Sequence, residues 1–185
     1  MYGWLLRIAR GLRMRGCLGH ALCGNNTSSI DPSNALAHFN LGNVLRDVHQ
    51  DWAGAMSHYR KTIELDPSDA GAYNSLGQAL HFVHNDFSSA ERLYRKAIEL
   101  DPSSKQGHTN LGIVLKDRED YEGAEESLQK GMELGDDFAC WHLSKLLENQ
   151  KNDIPGAIKA IEEYIRLGDP DNDGEEELER LRAKL

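Results

Sequence analysis

Only three cysteines occur in 185 residues, Cys17, Cys23 and Cys140. They are scattered, with no Cys-x-x-Cys pair and no Cys/His cluster at metal-ligand spacing. A zinc site is thereby excluded, and a reducing compartment, the cytoplasm, is expected. No apolar run approaches the roughly 18 residues of a membrane-spanning helix, so no transmembrane segment is expected. Acidic residues are missing from residues 1–30, which hold Arg7, Arg10, Arg13 and Arg15. The remainder therefore carries all 30 Asp and Glu against 17 of the 21 Lys and Arg, a net of -13. Such an acidic body repels phosphate backbones, which argues against nucleic acid as a partner. No Ser/His/Asp or Cys/His arrangement has the surroundings of a nucleophile, and the glycines follow no phosphate-loop spacing. No enzymatic activity and no cofactor are expected.

What is present is a period. Asp31-Pro32, Asp66-Pro67 and Asp101-Pro102 follow one another at 35-residue intervals, as do Leu41-Gly42, Leu76-Gly77 and Leu111-Gly112. Each later Asp-Pro ends a helix-favouring stretch such as Tyr94 to Leu100, because proline disfavours helix in the residue before it and lacks a donor. Ser33, Ser68 and Ser103 then stand where a hydroxyl is expected to cap the next helix. Apolar residues recur at helical spacing between the stops, as in Leu41 and Leu45, then Ala55, Tyr59 and Ile63. The unit is a helix, a turn and a second helix. Gly42, Gly77 and Gly112 are expected to let the paired backbones approach at Ala55, Ala90 and Ala124. A single pair leaves one face uncovered, so neighbouring pairs must stack.

At these residues the chain resembles the tetratricopeptide-repeat (TPR) family. The best copy is Tyr73, Leu76-Gly77, Leu80, Ala90, Tyr94, Ala97 and Pro102. The first copy offers His38, Leu41-Gly42, Leu45, Ala55, Tyr59, Thr62 and Pro67, and the third offers His108, Leu111-Gly112, Leu115, Ala124, Leu128 and Gly131. A worn fourth copy runs through Cys140, Leu143-Ser144, Leu147, Ala157, Ile161 and Leu167. Leu45 to Ala55, Leu80 to Ala90 and Leu147 to Ala157 span one residue more than the family's usual spacing, and the extra residue is expected in the turn.

The resemblance implies an all-α fold, a right-handed α-α superhelix of about four helix pairs plus a C-terminal capping helix. The expected division is a basic leader over 1–30, and a repeat domain over 31–170 with copies at about 31–67, 68–102, 103–136 and 137–170. A cap follows over 171–185, with Leu178, Leu181 and Leu185 on one stripe.

In this family the outward positions of the first helices line a concave groove. Counted at 100° per residue, the candidate contacts are Phe39, Asn40, Asn43, Arg46, Asn74, Gln78, His81, Gln106, Thr109, Asn110, Ile113, Lys116, Trp141 and Lys145. Neutral amides among a few apolar side chains suit an extended peptide or helix of a partner protein, since Asn and Gln both donate and accept. The family's clamp for chaperone C-terminal carboxylates needs Lys, Asn, Asn, Lys and Arg. Here the matching positions are Phe39, Asn43, Ser75, Gln106 and Asn110, so that ligand is not expected.

The expected function is a non-catalytic scaffold or adaptor. The alternatives are a structural subunit or assembly factor using the convex face and ends, or a regulatory module of a separately encoded enzyme. Asp169, Asp171 and Asp173 resemble the opening of a calcium loop, but Arg180 stands where the bidentate Glu belongs, and Asp173 with Glu176 reads equally as a helix start. No metal site is expected. Trp4, Leu5, Ile8 and Leu12 share one helical face opposite Arg7, Arg10 and Arg13, so residues 1–20 are an alternative organelle-targeting or membrane-surface segment.

Overall fold

The computed structural model describes residues 33–168 and 173–185. Residues 1–30, where the basic leader is expected, and Asp169 and Asp171 lie outside them. The described residues are all-helical. In chain order they form α1 (Ala35–Asp47), α2 (Trp52–Leu65), α3 (Ala70–Phe82), α4 (Phe87–Leu100), α5 (Lys105–Asp117), α6 (Tyr121–Glu133), α7 (Asp137–Leu146), a π-helical turn (Leu147–Lys151), α8 (Ile154–Leu167) and α9 (Gly174–Arg182). The helices pair as α1 with α2, α3 with α4, α5 with α6 and α7 with α8, and each second helix also packs on the first helix of the next pair. The last helix, α9, covers α8. This is an all-α helical-repeat solenoid.

Helix starts follow one rule, shifted by a residue from the expected serines. Asn34, Asp69 and Ser104 cap α1, α3 and α5, each side chain accepting the N–H three residues on. Ser68 and Ser103 instead turn back on the Asp-Pro stop, where Asp66 Oδ1 accepts from Ser68 N at 3.0 Å and from its hydroxyl at 2.6 Å, with the same pair at Asp101. The aspartate of the stop is the better acceptor for an adjacent hydroxyl, and this local ring displaces the cap. The second helices are capped by Asp51, Asp86, Asp120 and Asp153.

The turns within pairs share a closing bond. The N–H groups of Asp51, Asp86, Asp120 and Asp153 donate to the carbonyls of Leu45, Leu80, Leu115 and Leu147 at 2.9 Å. In the third pair this bond spans five residues, with Glu119 left-handed at φ 66°, as in a Schellman end. In the other three it spans six. The extra residue therefore widens the ring that closes the helix, and in the fourth pair it draws the whole of Leu147–Lys151 into a π-helical turn rather than a plain loop.

The core is a ladder of the motif's large and small residues. Ala55, Tyr59, Ala90, Tyr94, Ala124, Leu128, Ala157 and Ile161 are fully buried, and each large one contributes about 1.5–3 kcal/mol. Tyr94 lies so close to the facing helix that a Cβ on Gly77 would sit 2.7 Å from its ring. The cap buries Leu178 and Leu181 at 6 % and 0 % exposure, while Leu185 is 78 % exposed and takes no part in the stripe. Cys140 is also fully buried; its thiol donates to the Asp136 carbonyl, and burial first, with Glu163 next, pushes its pKa up to about 12.

Candidate functional site

The first helices α1, α3, α5 and α7 lie side by side, and their side chains cross from one repeat to the next. Phe39 reaches towards Gly71 and lies 6.0 Å from the Tyr59 ring. The Asn43 Oδ1 accepts from the Tyr59 hydroxyl at 3.0 Å. Arg46 donates to Asp47 at 2.6 Å and, at 3.5 Å, to Gln78 on the next repeat. Asn110 donates across repeats to Asn74 at 2.9 Å. Gln106 is exposed and Ile113 is half-buried. Further on, the Lys145 ammonium sits 4.6 Å above the Trp141 ring, which itself lies 5.5 Å from Tyr164.

Four of the expected contacts stand elsewhere. His81 is 2 % exposed, with Nε2 bonded to Asp117 at 2.9 Å. Thr109 is 3 % exposed and donates to the buried N-cap Asp136 at 2.6 Å. Asn110 is 8 % exposed. These three are struts between repeats, because a helical position that leaves its own core still meets the neighbouring pair. Asn40, in contrast, is exposed, with nothing among the described residues lying over it as α2 of the first pair lies over Ser75. A residue not expected on this face is Phe82, 55 % exposed and stacked on His81 at 4.2 Å. The period gives no sign of it, since Asp47 and Asp117 occupy the same place 35 residues either side.

Charge on this face is internally balanced. Arg46 pairs with Asp47, Lys116 with Asp117 at 3.1 Å, and Lys145 with Glu177 on the cap. Burial works against ionised Asp117, but hydrogen bonds from His81 and Lys116 hold its pKa below the ordinary value. At the cap, Arg180 grips Glu148 with both η nitrogens at 2.7 and 2.6 Å and Glu177 with Nε at 2.7 Å. The Arg180 bond, followed by that from Lys184, holds Glu148 down at about 2 despite its burial.

Asp173 precedes α9, but its side chain accepts from the Tyr164 hydroxyl at 3.2 Å and does not cap the helix. Among the described residues, no three His, Cys, Asp or Glu side chains converge on a point where a metal ion would sit. An open depression of about 540 Å³ lies between α4, α5 and α6, lined by residues such as Arg95, Ile98, Leu111 and Lys130 and by none of the candidate contacts. Among the described residues, no helix is long and apolar enough to cross a membrane.

His142, on α7, is pushed down to about 4 by burial, with Lys116 adding to the shift. His58 is lowered as well, by burial and then by His38. Below about 6.5 the unfolded chain binds protons that these native imidazoles refuse, so stability is full above that pH and falls towards pH 4. Between pH 7 and 4.5 the loss through His142 is expected to be about 1–2 kcal/mol, discounted for its partial exposure. Urea denaturation across that range tests it: His142→Asn should flatten the profile, and an unchanged slope would contradict the assignment.

Family models described as tetratricopeptide repeats match residues 49–81, 70–104 and 93–126. A comparison with curated proteins finds no match. Among solved structures, MamA is 23 % identical, with 75 % of this chain and 81 % of that chain covered and a TM-score of 0.65. YrrB, described as a TPR protein with an unusual peptide-binding site, is 24 % identical over 83 % of this chain and 79 % of its own, with a TM-score of 0.64. PilF of Pseudomonas aeruginosa is 23 % identical over 81 % and 68 %, with a TM-score of 0.70. At such identities the structures speak for the fold, and the family models for its kind. Tetratricopeptide repeats are typically non-catalytic modules of protein interaction. With its registered Leu-Gly and Ala positions, its stacked helix pairs and these matches, the chain is a tetratricopeptide-repeat protein.

Proposed function

We propose that the chain is a non-catalytic scaffold whose first-helix face holds an extended, largely uncharged segment of another protein. The observation that carries this reading is the internal pairing of Arg46, Lys116 and Lys145, which leaves amides and apolar rings to make the contacts. An anionic peptide terminus would have to break one of these pairs, so a chaperone carboxylate tail is disfavoured. The acidic body, with a sequence pI of about 5.3, likewise disfavours nucleic acid. Asn43, Asn74, Gln78 and Gln106 supply donors and acceptors suited to a peptide backbone, and Phe39, Phe82, Ile113 and Trp141 supply apolar contact. The likeness to YrrB adds a peptide-binding precedent on a similar fold. Asp169, Asp171 and Asp173 form no part of the reading, and no cofactor is required.

Selection of a phage-displayed peptide library on the full chain tests the reading. Enriched peptides are expected to be poor in Asp and Glu, with affinities changing less than about twofold between 50 and 500 mM NaCl, since no net charge is neutralised. Combined Asn43→Ala, Gln78→Ala and Phe82→Ala should weaken them by about 30-fold or more, the loss of one strong contact region. Full binding by that variant would place the site on another surface, and a steep salt dependence would contradict the neutral-segment reading.

A further inference from the structure

The four first helices are built to one pattern, yet one of them is covered differently. In α3, Ala72, Ser75, Leu76 and Ala79 are 0 %, 6 %, 6 % and 0 % exposed. In α5, Gly107 is buried, and Asn110, Leu111 and Val114 are 8 %, 8 % and 0 % exposed. In α7, Ala139, Leu143 and Leu146 are buried in the same register. Each of these stripes is covered by the second helix of the preceding pair: α2 packs on α3, α4 on α5 and α6 on α7. The contacts are close, since a Cβ on Gly107 of α5 would lie 3.1 Å from Ile98 of α4, and one on Gly131 of α6 would lie 2.9 Å from Ala139 of α7.

The equivalent stripe of α1 is Ala37, Asn40, Leu41 and Val44, and Val48 follows as the C-cap of the helix, where its counterpart Val83 is also exposed, at 41 %. Here Val44 is 45 % exposed, Val48 is 70 % exposed, Asn40 is exposed, and Ala37 and Leu41 are half-buried. Their spacing is the three-and-four alternation that seats one helix against another. None of the five is ionisable, so copies of an otherwise acidic chain meet there without local repulsion. An antiparallel two-fold pairing sets Val48 of one copy over Ala37 of the other, a large side chain against a small one, and Val44 over Leu41, aliphatic against aliphatic. Such a pairing is self-complementary, as an isologous interface must be. In α3, α5 and α7 the same stripe is already a helix-packing surface, taken there by the second helix of the preceding pair.

We infer that the outward stripe of α1 is a self-association surface, and that its occupant is α1 of a second copy of this chain. The helix has 13 residues, a length of about 20 Å. The contact it offers falls short of the roughly 1,200 Å² buried by stable complexes, so the dimer forms at about 10–100 µM rather than at nanomolar concentration.

Sedimentation equilibrium of the full chain over about 1–500 µM tests this. The mean mass should rise towards twice the monomer mass. Val44→Asp and Val48→Asp alter side chains that water already reaches in the monomer, so each should retain the wild-type far-UV circular dichroism. Each should also move the association midpoint up by at least about tenfold, the cost of an unpaired carboxylate in an apolar contact. A chain that stays monomeric throughout overturns the inference and assigns the stripe to a helix of different sequence. A dimer indifferent to both substitutions overturns it as well, by placing the contact elsewhere.

Discussion

Gly112→Val is expected to lower the stability of the repeat unit by more than about 3 kcal/mol, the largest effect of any single exchange considered for this chain. A Cβ at this position would lie 2.6 Å from Leu128 Cγ, 3.0 Å from its Cδ2 and 3.1 Å from the backbone oxygen of Ala124. Leu128 is fully buried in the larger core cluster, and the Ala124 oxygen belongs to a helix backbone, so neither neighbour is a loose end that can swing aside. Separating α5 from α6 is the remaining way to admit the side chain, which opens the core between them. Valine's branched γ carbons widen that opening further. Because stacked repeats couple mainly to their neighbours, amide exchange should rise first across α5 and α6. A urea midpoint within about 1 kcal/mol of wild type would show that the approach is not the constraint described.

The same exchange, Tyr to Phe, should have opposite signs in two sister positions. Tyr59 and Tyr94 are both fully buried and stand 35 residues apart. The Tyr59 hydroxyl donates to Asn43, whereas the Tyr94 hydroxyl is buried with no partner among the described residues, and burial drives its pKa upward. The residue placed to satisfy Tyr94 is Gln78, one methylene longer than Asn43, and its oxygen is turned to Arg46 instead. Tyr59→Phe is therefore expected to cost about 1 kcal/mol, and Tyr94→Phe to stabilise by about 1–2 kcal/mol. Paired thermal melts of the two variants decide it. A shift of both in the same direction would mean that the Tyr94 hydroxyl is satisfied in solution.

Most of the helix architecture could be read from the 35-residue register, because the residues that stop a helix, admit a close approach and fill the core act locally or within one pair. Asp66-Pro67, Leu76-Gly77 and Tyr94 are of this kind. What escaped the reading depends on the neighbouring repeat. His81, Thr109 and Asn110 sit on the correct side of their helices for a binding face, but Asp117, Asp136 and Asn74 on adjacent elements hold them and close them from water. Helical angle alone does not reveal what stands across the next gap. Phe82 escaped because its position is an aspartate in both flanking copies. The capping role passed from Ser68 to Asp69 for a still more local reason, since Asp66 takes the serine hydroxyl first.

Cys140 has a use that follows from its depth. A thiol that is fully buried and pushed up to about 12 reacts with an electrophile only when the structure around it opens. With Cys17 and Cys23 exchanged for serine, the labelling rate of this one sulfur becomes a clock for the opening of the α7–α8 pair alone. Its dependence on denaturant would separate fraying of the last pair from collapse of the whole array, a distinction that a single melting curve averages away.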